Sequence, residues 1–290
     1  MNKPNEPTYF EARKWASFRV KDNKQIDDSD IDFILEKRNN FSLTQLLANY
    51  RQKMPEKKWV EFQSDVNQLV SGMSPQYIVG VADFYGYEYQ VNRDVLIPRI
   101  ETEETIDWII DETSKVFADP LKVLDIGTGS GVIAITLKKF RPNWQLFASD
   151  ISSAALKVAE NNAKRLKAEV KFIQSDVFQN ISGKFDLIVS NPPYIAEDEK
   201  KYMDKSVIQN EPKIALFAGN EGLAVYQAIA KDLSAHLNQG GRAFFEIGFQ
   251  QEEAVINIFK QSSPNFQVLK RHDTAGNQRM IQVINEGNKQ

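Results

Sequence analysis

The chain has 290 residues, a formal net charge of −3, no cysteine, 42% hydrophobic and 26% charged residues. This is enough for one large or two ordinary domains with a filled core. It excludes disulfides, thiolate metal sites and a cysteine nucleophile, and it gives no overall basic footprint for nucleic acid.

Met1 to Phe10 is polar and lacks an apolar h-region, and no stretch approaches ~20 apolar residues. Neither a signal peptide nor a membrane span is expected, and the cytoplasm is the default compartment. Residues 1–80 carry helical spacing. Ile31, Ile34 and Leu35 form one face behind the acidic entry Asp27, Asp28 and Asp30. Leu43, Leu46 and Leu47 form a second behind Ser42, and Val60, Phe62, Val66, Leu69 and Val70 a third that stops at Gly72. Lys53, Lys57 and Lys58 read as a solvated surface. Over residues 81–98, Tyr85-Gly86-Tyr87 predicts the turn of a linking β-hairpin, packed or walling a cleft.

From residue 99 the pattern alternates. A helix is expected over 101–117, then strand 122–126, helix 132–140, strand 145–149, helix 153–167, strand 170–173 and strand 185–190. Helix 222–237, strand 242–247, helix 252–261 and a closing antiparallel pair at 266–270 and 279–283 follow. Strands alternating with helices predict a parallel, doubly wound α/β sheet. His236 reads as a helix-face residue. No paired-histidine metal site and no serine nucleophile motif is apparent.

Two strand ends carry chemistry. Asp125-Ile126-Gly127-Thr128-Gly129-Ser130-Gly131 is a glycine-rich strand-to-helix turn, whose backbone can approach a ligand closely and offer N–H groups. It lacks the Gly-Lys-Ser/Thr of a P-loop, and Gly131 follows Gly129 too closely for a dinucleotide fingerprint. Acidic residues end the next two strands, at Asp150 and Asp176. Asn191-Pro192-Pro193-Tyr194 holds an amide just beyond a buried strand, on backbone that cannot continue the ladder. In isolation each motif also fits a tight structural turn.

Taken together these motifs resemble the class I S-adenosylmethionine-dependent methyltransferases, a Rossmann-like, seven-stranded fold. The Asn-Pro-Pro-Tyr run resembles members that methylate planar nitrogens, either a glutamine amide or an adenine amino group. The resemblance implies that Gly127, Thr128, Gly129, Ser130 and Gly131 pass beneath the amino-acid part of S-adenosylmethionine. Asp150 would take the ribose hydroxyls, and Asp176 and Val177 would meet the adenine. Asp125 would orient the loop or meet the ammonium. Asn191 would border the donor as well as the acceptor, and it and the Pro192 carbonyl would accept the acceptor's N–H groups, with Pro193 as rigid backing and Tyr194 as a stacking ring. The product would be S-adenosylhomocysteine, and the chemistry needs no metal.

The flanks Gly72 to Gly80, Phe84-Tyr85-Gly86, Leu96 to Glu103, Asn210-Glu211-Pro212, Gly219 to Leu223 and Asp273 to Arg279 resemble the release factor glutamine methyltransferase family (PrmC/HemK). That implies N5-methylation of the glutamine in the Gly-Gly-Gln motif of peptide chain release factors. It also implies a helical domain over 1–80 that engages them, the hairpin over 81–98, and catalysis over 99–290. Arg99, Glu101 and Thr102 would lie beside the donor pocket. Ile100 stands where the family usually has proline, and residues 1–70 match it weakly. Adenine-N6 methylation of DNA or RNA is the alternative; it needs a basic recognition surface that the charge does not offer. A binding module without turnover is a third reading, against which the intact motifs argue. No membrane or direct nucleic-acid partner is expected.

Overall fold

A computed structural model describes residues 4–23, 25–118 and 120–287. The chain divides into two compact units. One runs to Val81 and includes Asp204–Asn210; the other takes in Ala82–Met203 and the chain from Glu211 onward.

The first unit contains α1 (Tyr9–Val20), α2 (Asp28–Asn39), α3 (Leu43–Asn49), α4 (Glu56–Val70) and α5 (Pro75–Val79). Helix α1 was not expected from the sequence. Thr8 and Glu11 form its capping box, and Tyr9, Ala12, Trp15, Ala16 and Val20 are its buried residues. In α4 the inward face is Trp59, Phe62, Val66 and Leu69, while Val60 is 61% exposed and Val70 also points outward. Leu43 and Leu47 likewise face solvent, leaving Leu46 as the anchor of α3. Trp15 meets Trp59 edge-on at 5.0 Å. Arg38 clamps the buried Asp65 through two hydrogen bonds of 2.8 and 2.9 Å and also donates to the Ile78 carbonyl, so one guanidinium joins α2, α4 and α5.

At the boundary begins a hairpin, β1 (Val81–Phe84) and β2 (Tyr87–Gln90), which belongs to the second unit from its second residue on. Tyr85 and Gly86 both have positive φ, 50° and 75°, the backbone of a two-residue hairpin turn. Then come α6 (Ile100–Val116), β3 (Lys122–Ile126), α7 (Val132–Phe140), β4 (Gln145–Asp150), α8 (Ser153–Leu166), β5 (Val170–Gln174) and β6 (Phe185–Ser190). After α9 (Lys205–Asn210), which belongs to the first unit, follow α10 (Lys213–Leu216), α11 (Ala224–His236), β7 (Leu237–Glu246), α12 (Glu252–Ser262), β8 (Phe266–His272) and β9 (Gln278–Asn285).

The described residues form a seven-stranded sheet in the order β5-β4-β3-β6-β7-β9-β8. Strands β5 to β7 are mutually parallel, and β9 runs antiparallel between β7 and β8. Period-two alternation sorts the core. Val123, Leu187, Val189 and Phe244 pack on one face, and Leu124, Ile126, Ile188 and Phe245 on the other. β7 begins at Leu237, not at Arg242 as expected. A register shift between Phe185 and Leu187 absorbs the glycines, so Phe185 pairs with Leu237 and Leu187 with Arg242. Among the described residues, no helix is long and apolar enough to cross a membrane.

Candidate active site

The sheet register builds the site. Ser149, Ile126, Ser190 and Phe245 are partners across β4, β3, β6 and β7. The next residue on each strand therefore forms a row at the carboxyl rim: Asp150, Gly127, Asn191 and Glu246. Ligands of open α/β sheets bind outside this rim. A cavity of about 350 Å³ lies there, in the second unit, bounded by the glycine turn, the ends of β4 and β6, the Asp94–Arg99 loop and the segment after α10.

The glycine turn is held from behind. Asp125, fully buried, accepts from the Thr128 hydroxyl at 2.6 Å and the Ala134 N–H at 3.2 Å. Burial pushes its carboxyl up to about 7. Asn162 ties the turn to the hairpin, donating to the Ser130 and Gln90 carbonyls and accepting from the Gln90 N–H. Gly127 and Gly129 have φ of 71° and 56°, and a Cβ on either would point into open space. Asp150 accepts the Gly129 N–H through one oxygen and the Ser152 N–H through the other, each at 2.9 Å. Burial raises this carboxyl, against the pull of those N–H groups. Each oxygen keeps a lone pair, so the carboxylate can still accept two hydroxyl protons. Val177 lies at φ 47°, a strained position for a β-branched residue. The Ser175 hydroxyl holds it there by donating to the Val177 carbonyl at 2.9 Å.

The segment after β6 is strapped down by residues 211–223. Ile195 N–H donates to the Leu216 carbonyl and Ala218 N–H to the Ile195 carbonyl, both at 3.0 Å. The Gln251 side chain donates to the Tyr194 carbonyl at 2.8 Å. Gly222, at φ 82°, approaches that carbonyl so closely that a Cβ would collide with its oxygen. Asn191 Nδ2 donates to the Thr102 hydroxyl at 3.1 Å. Among the described residues, nothing donates to Asn191 Oδ1 or to the Pro192 carbonyl. Both residues line the cavity.

Gly127, Thr128, Gly129, Ser130, Asp150, Asp176, Val177, Asn191, Pro192 and Pro193 line the cavity, as do Arg99 and Thr102. Asp125, Gly131 and Tyr194 lie outside its wall. Asp125 braces the turn. Gly131 is the N-cap of α7, where a Cβ would press on Ile135 and Ala159. The Tyr194 ring packs into the core of Tyr226 and Phe245, and burial pushes its phenol up to about 12. The hairpin rings Phe84 and Tyr89 are core, so it is the loop after the hairpin that forms the wall. Sequence reading missed Ile151, an apolar wall residue beside Asp150 signalled by its exposed place after an acidic strand end. It also missed Glu246, whose partners are remote in sequence.

The fold and the rim define a class I S-adenosylmethionine-dependent methyltransferase. A family model described as methyltransferase small domain matches residues 109–272, and one described as PrmC N-terminal domain matches residues 11–80. The chain is 44% identical over 257 residues to the release factor glutamine methyltransferase of Lactococcus lactis, covering 89% of this chain and 94% of that one. It is 39% identical over 273 residues to the enzyme of the same name from Enterococcus faecalis, covering 94% and 97%. The chain belongs to the release factor glutamine methyltransferase family. Two solved structures share the fold. They are a methyltransferase from Pyrococcus furiosus (TM-score 0.52, 18% identity, 81% of this chain and 100% of that chain) and the hMettl16 catalytic domain (0.55, 15%, 81% and 83%).

Two outcomes follow from this packing. Gly222→Ala drives a methyl group against the Tyr194 carbonyl and should displace the segment after β6, lowering turnover by roughly 100-fold; steady-state kinetics on the folded variant measures it. Asp125 has its carboxyl raised on folding, so its contribution to stability is complete below the unfolded value and is lost as pH rises through about 7. Urea unfolding at about pH 5 and about pH 8 should show a smaller loss with rising pH in Asp125→Asn than in the parent.

Proposed function

We propose that this chain transfers a methyl group to the side-chain amide nitrogen, N5, of the glutamine in the Gly-Gly-Gln motif of peptide chain release factors. The observation that carries the reading is a pair of acceptors, Asn191 Oδ1 and the Pro192 carbonyl, to which nothing donates among the described residues, just beyond a strand whose neighbour ends in the glycine turn. The relatives from Lactococcus lactis and Enterococcus faecalis are named release factor glutamine methyltransferases, which supports the reading.

When bound, S-adenosylmethionine supplies an electrophilic methyl group on a sulfonium that leaves as a neutral thioether. The residues present fit it. Asp150 offers two acceptor oxygens for the ribose hydroxyls, Ile151 and Val177 offer apolar walls for the adenine, and Asp176 offers an acceptor. Over Gly127 and Gly129 there is room where a side chain would stand.

An amide nitrogen is a weak nucleophile because its lone pair is delocalised into the carbonyl. Asn191 Oδ1 and the Pro192 carbonyl each accept one of its N–H groups. They fix the plane of the –NH2 and favour the positive charge that grows on nitrogen as it attacks. Positioning of this kind is worth ~7–11 kcal/mol, and the aligned dipoles add to it. The methylated nitrogen loses one proton to water after transfer, so no side chain acts as a base beforehand. Tyr194, with its raised phenol, backs the segment rather than titrating.

The helical unit engages the release factor, a role supported by the family model matched over residues 11–80 and by the exposed Leu43 and Leu47 of α3. The enzyme works in the cytoplasm, where its substrate acts.

The test supplies a methyl-labelled donor with two acceptors in parallel, an unmodified release factor and an adenine-containing nucleic acid. Label on the Gly-Gly-Gln glutamine is expected; label on adenine instead would overturn the substrate. Asn191→Ala should lower turnover by about 100-fold or more while leaving donor affinity within about 3-fold. Asp150→Ala should weaken donor binding by roughly 10–100-fold in calorimetry, and an unchanged affinity would remove Asp150 from the ribose site.

A further inference from the structure

Glu246 is a buried carboxylate with no assigned task. It ends β7 on the rim row, is 2% exposed, and accepts the Thr102 hydroxyl at 2.8 Å. Thr102, in the first turn of α6 and 3% exposed, in turn accepts from Asn191 Nδ2 at 3.1 Å. The Tyr226 hydroxyl pins the Glu246 backbone by donating to its carbonyl at 2.7 Å. A carboxylate taken out of water costs several kcal/mol unless its partners compensate. Replacing it with an apolar residue would be the simpler core, so its presence calls for a reason.

The reason lies in the direction of the hydrogen bonds. An ionised carboxylate has no proton and can only accept. Thr102 has one hydroxyl proton, and Glu246 takes it. Thr102 then has only lone pairs to offer Asn191, so it pairs with the Asn191 –NH2 and not with its carbonyl. The amide is left one way round, with Oδ1 toward the cavity. A carbonyl there accepts N–H from a primary amide and opposes the oxygens of a carboxylate.

We propose that Glu246 and Thr102 are positioning residues that lock the Asn191 amide with its oxygen outward, and that this polarity makes the site select glutamine over glutamate. The inference rests on the acceptor role given to Asn191 above. Around Glu246 stand Arg99 and Arg279, which favour its charge, and Glu101, which opposes it; burial pushes its carboxyl up to about 7. As pH falls through about 7 the carboxyl gains a proton of its own, and the Glu246–Thr102 hydrogen bond can then run in either direction.

Thr102→Val keeps the shape and removes the acceptor. It should lower kcat on the unmodified release factor by roughly 10–100-fold with donor affinity within about 3-fold, and Thr102→Ser, which restores the hydroxyl, should recover most of the loss. Glu246→Gln can present either an oxygen or an –NH2 to Thr102. A release factor carrying glutamate in place of the target glutamine should therefore inhibit this variant more tightly than the parent, by about 10-fold. Unchanged kcat in Thr102→Val, or unchanged discrimination in Glu246→Gln, would overturn the proposal. A second readout needs no turnover. The Asn191 side-chain amide, identified in NMR spectra by its absence in Asn191→Ala, should have one exchange-protected proton in the parent and in Thr102→Ser, and none in Thr102→Val. Equal protection in all three overturns the lock. A parent that transfers nothing to the release factor sinks the acceptor reading instead, and the exchange measurement still decides the orientation.

Discussion

The register of four parallel strands is the constraint on which the site depends. Because Ser149, Ile126, Ser190 and Phe245 stand side by side, the chain leaves the sheet at one level on all four strands. A carboxylate, a glycine, an amide and a second carboxylate then meet at one edge. A slip by one residue would turn every side chain of a strand to the other face. The apolar alternation on both faces forbids that slip, since Val189 and Ile188 belong to different cores. Packing far inside the sheet thus sets the position of Asn191 more firmly than any contact Asn191 makes itself.

Three acidic side chains sit buried behind this edge, and each serves geometry. Asp125 gathers the Thr128 hydroxyl and the start of α7, Glu211 holds Arg99 at 2.6 Å, and Glu246 takes the Thr102 proton. Burial raises all three carboxyls. Apolar replacements would often be neutral or more stable in such places. A carboxylate, however, imposes a direction on every hydrogen bond it receives, and an apolar residue imposes none. That difference separates a buried carboxylate from an apolar residue of the same size at this edge.

The parts of this structure that were legible in the sequence are those encoded locally. The βα alternation, the glycine turn, the strand-end acids and the double proline each announce themselves within a few residues. The missed features depend on distance. Thr102 and Glu246 are separated by 144 residues, and nothing in either neighbourhood points to the other. Tyr194 reads as a stacking ring because it follows the motif; its carbonyl is taken by the Gln251 side chain, and its partly buried ring packs against the core of β7 and α11. Helix α1 was obscure because its buried face is built from alanines and aromatics among charges, although the Thr8–Glu11 capping box was there to be read. In α3 and α4, apolar residues outnumber the buried positions, so periodicity alone could not say which would face inward.

Ile100 tests how far local backbone chemistry controls the site. It occupies the first position of α6 and is 72% exposed, where the family usually has proline. Proline there presets the helical φ, and its loss leaves the unfolded chain freer by ~0.4–1 kcal/mol. Against this stand four tertiary ties on the same turn. Arg99 meets Glu211, Thr102 meets Glu246, Glu103 accepts the Tyr85 N–H at 2.6 Å, and Glu104 accepts from the Thr274 backbone and hydroxyl. A hydrogen bond to a charged group is worth ~1.5–3 kcal/mol when well made, so even one of the buried pair outweighs the missing ring. The start of α6, and with it the hydroxyl that faces Asn191, is set by the strap, the last parallel strand and the hairpin. A substitution at the most visible departure from the family motif is therefore compatible with the intact Glu246–Thr102–Asn191 chain of hydrogen bonds.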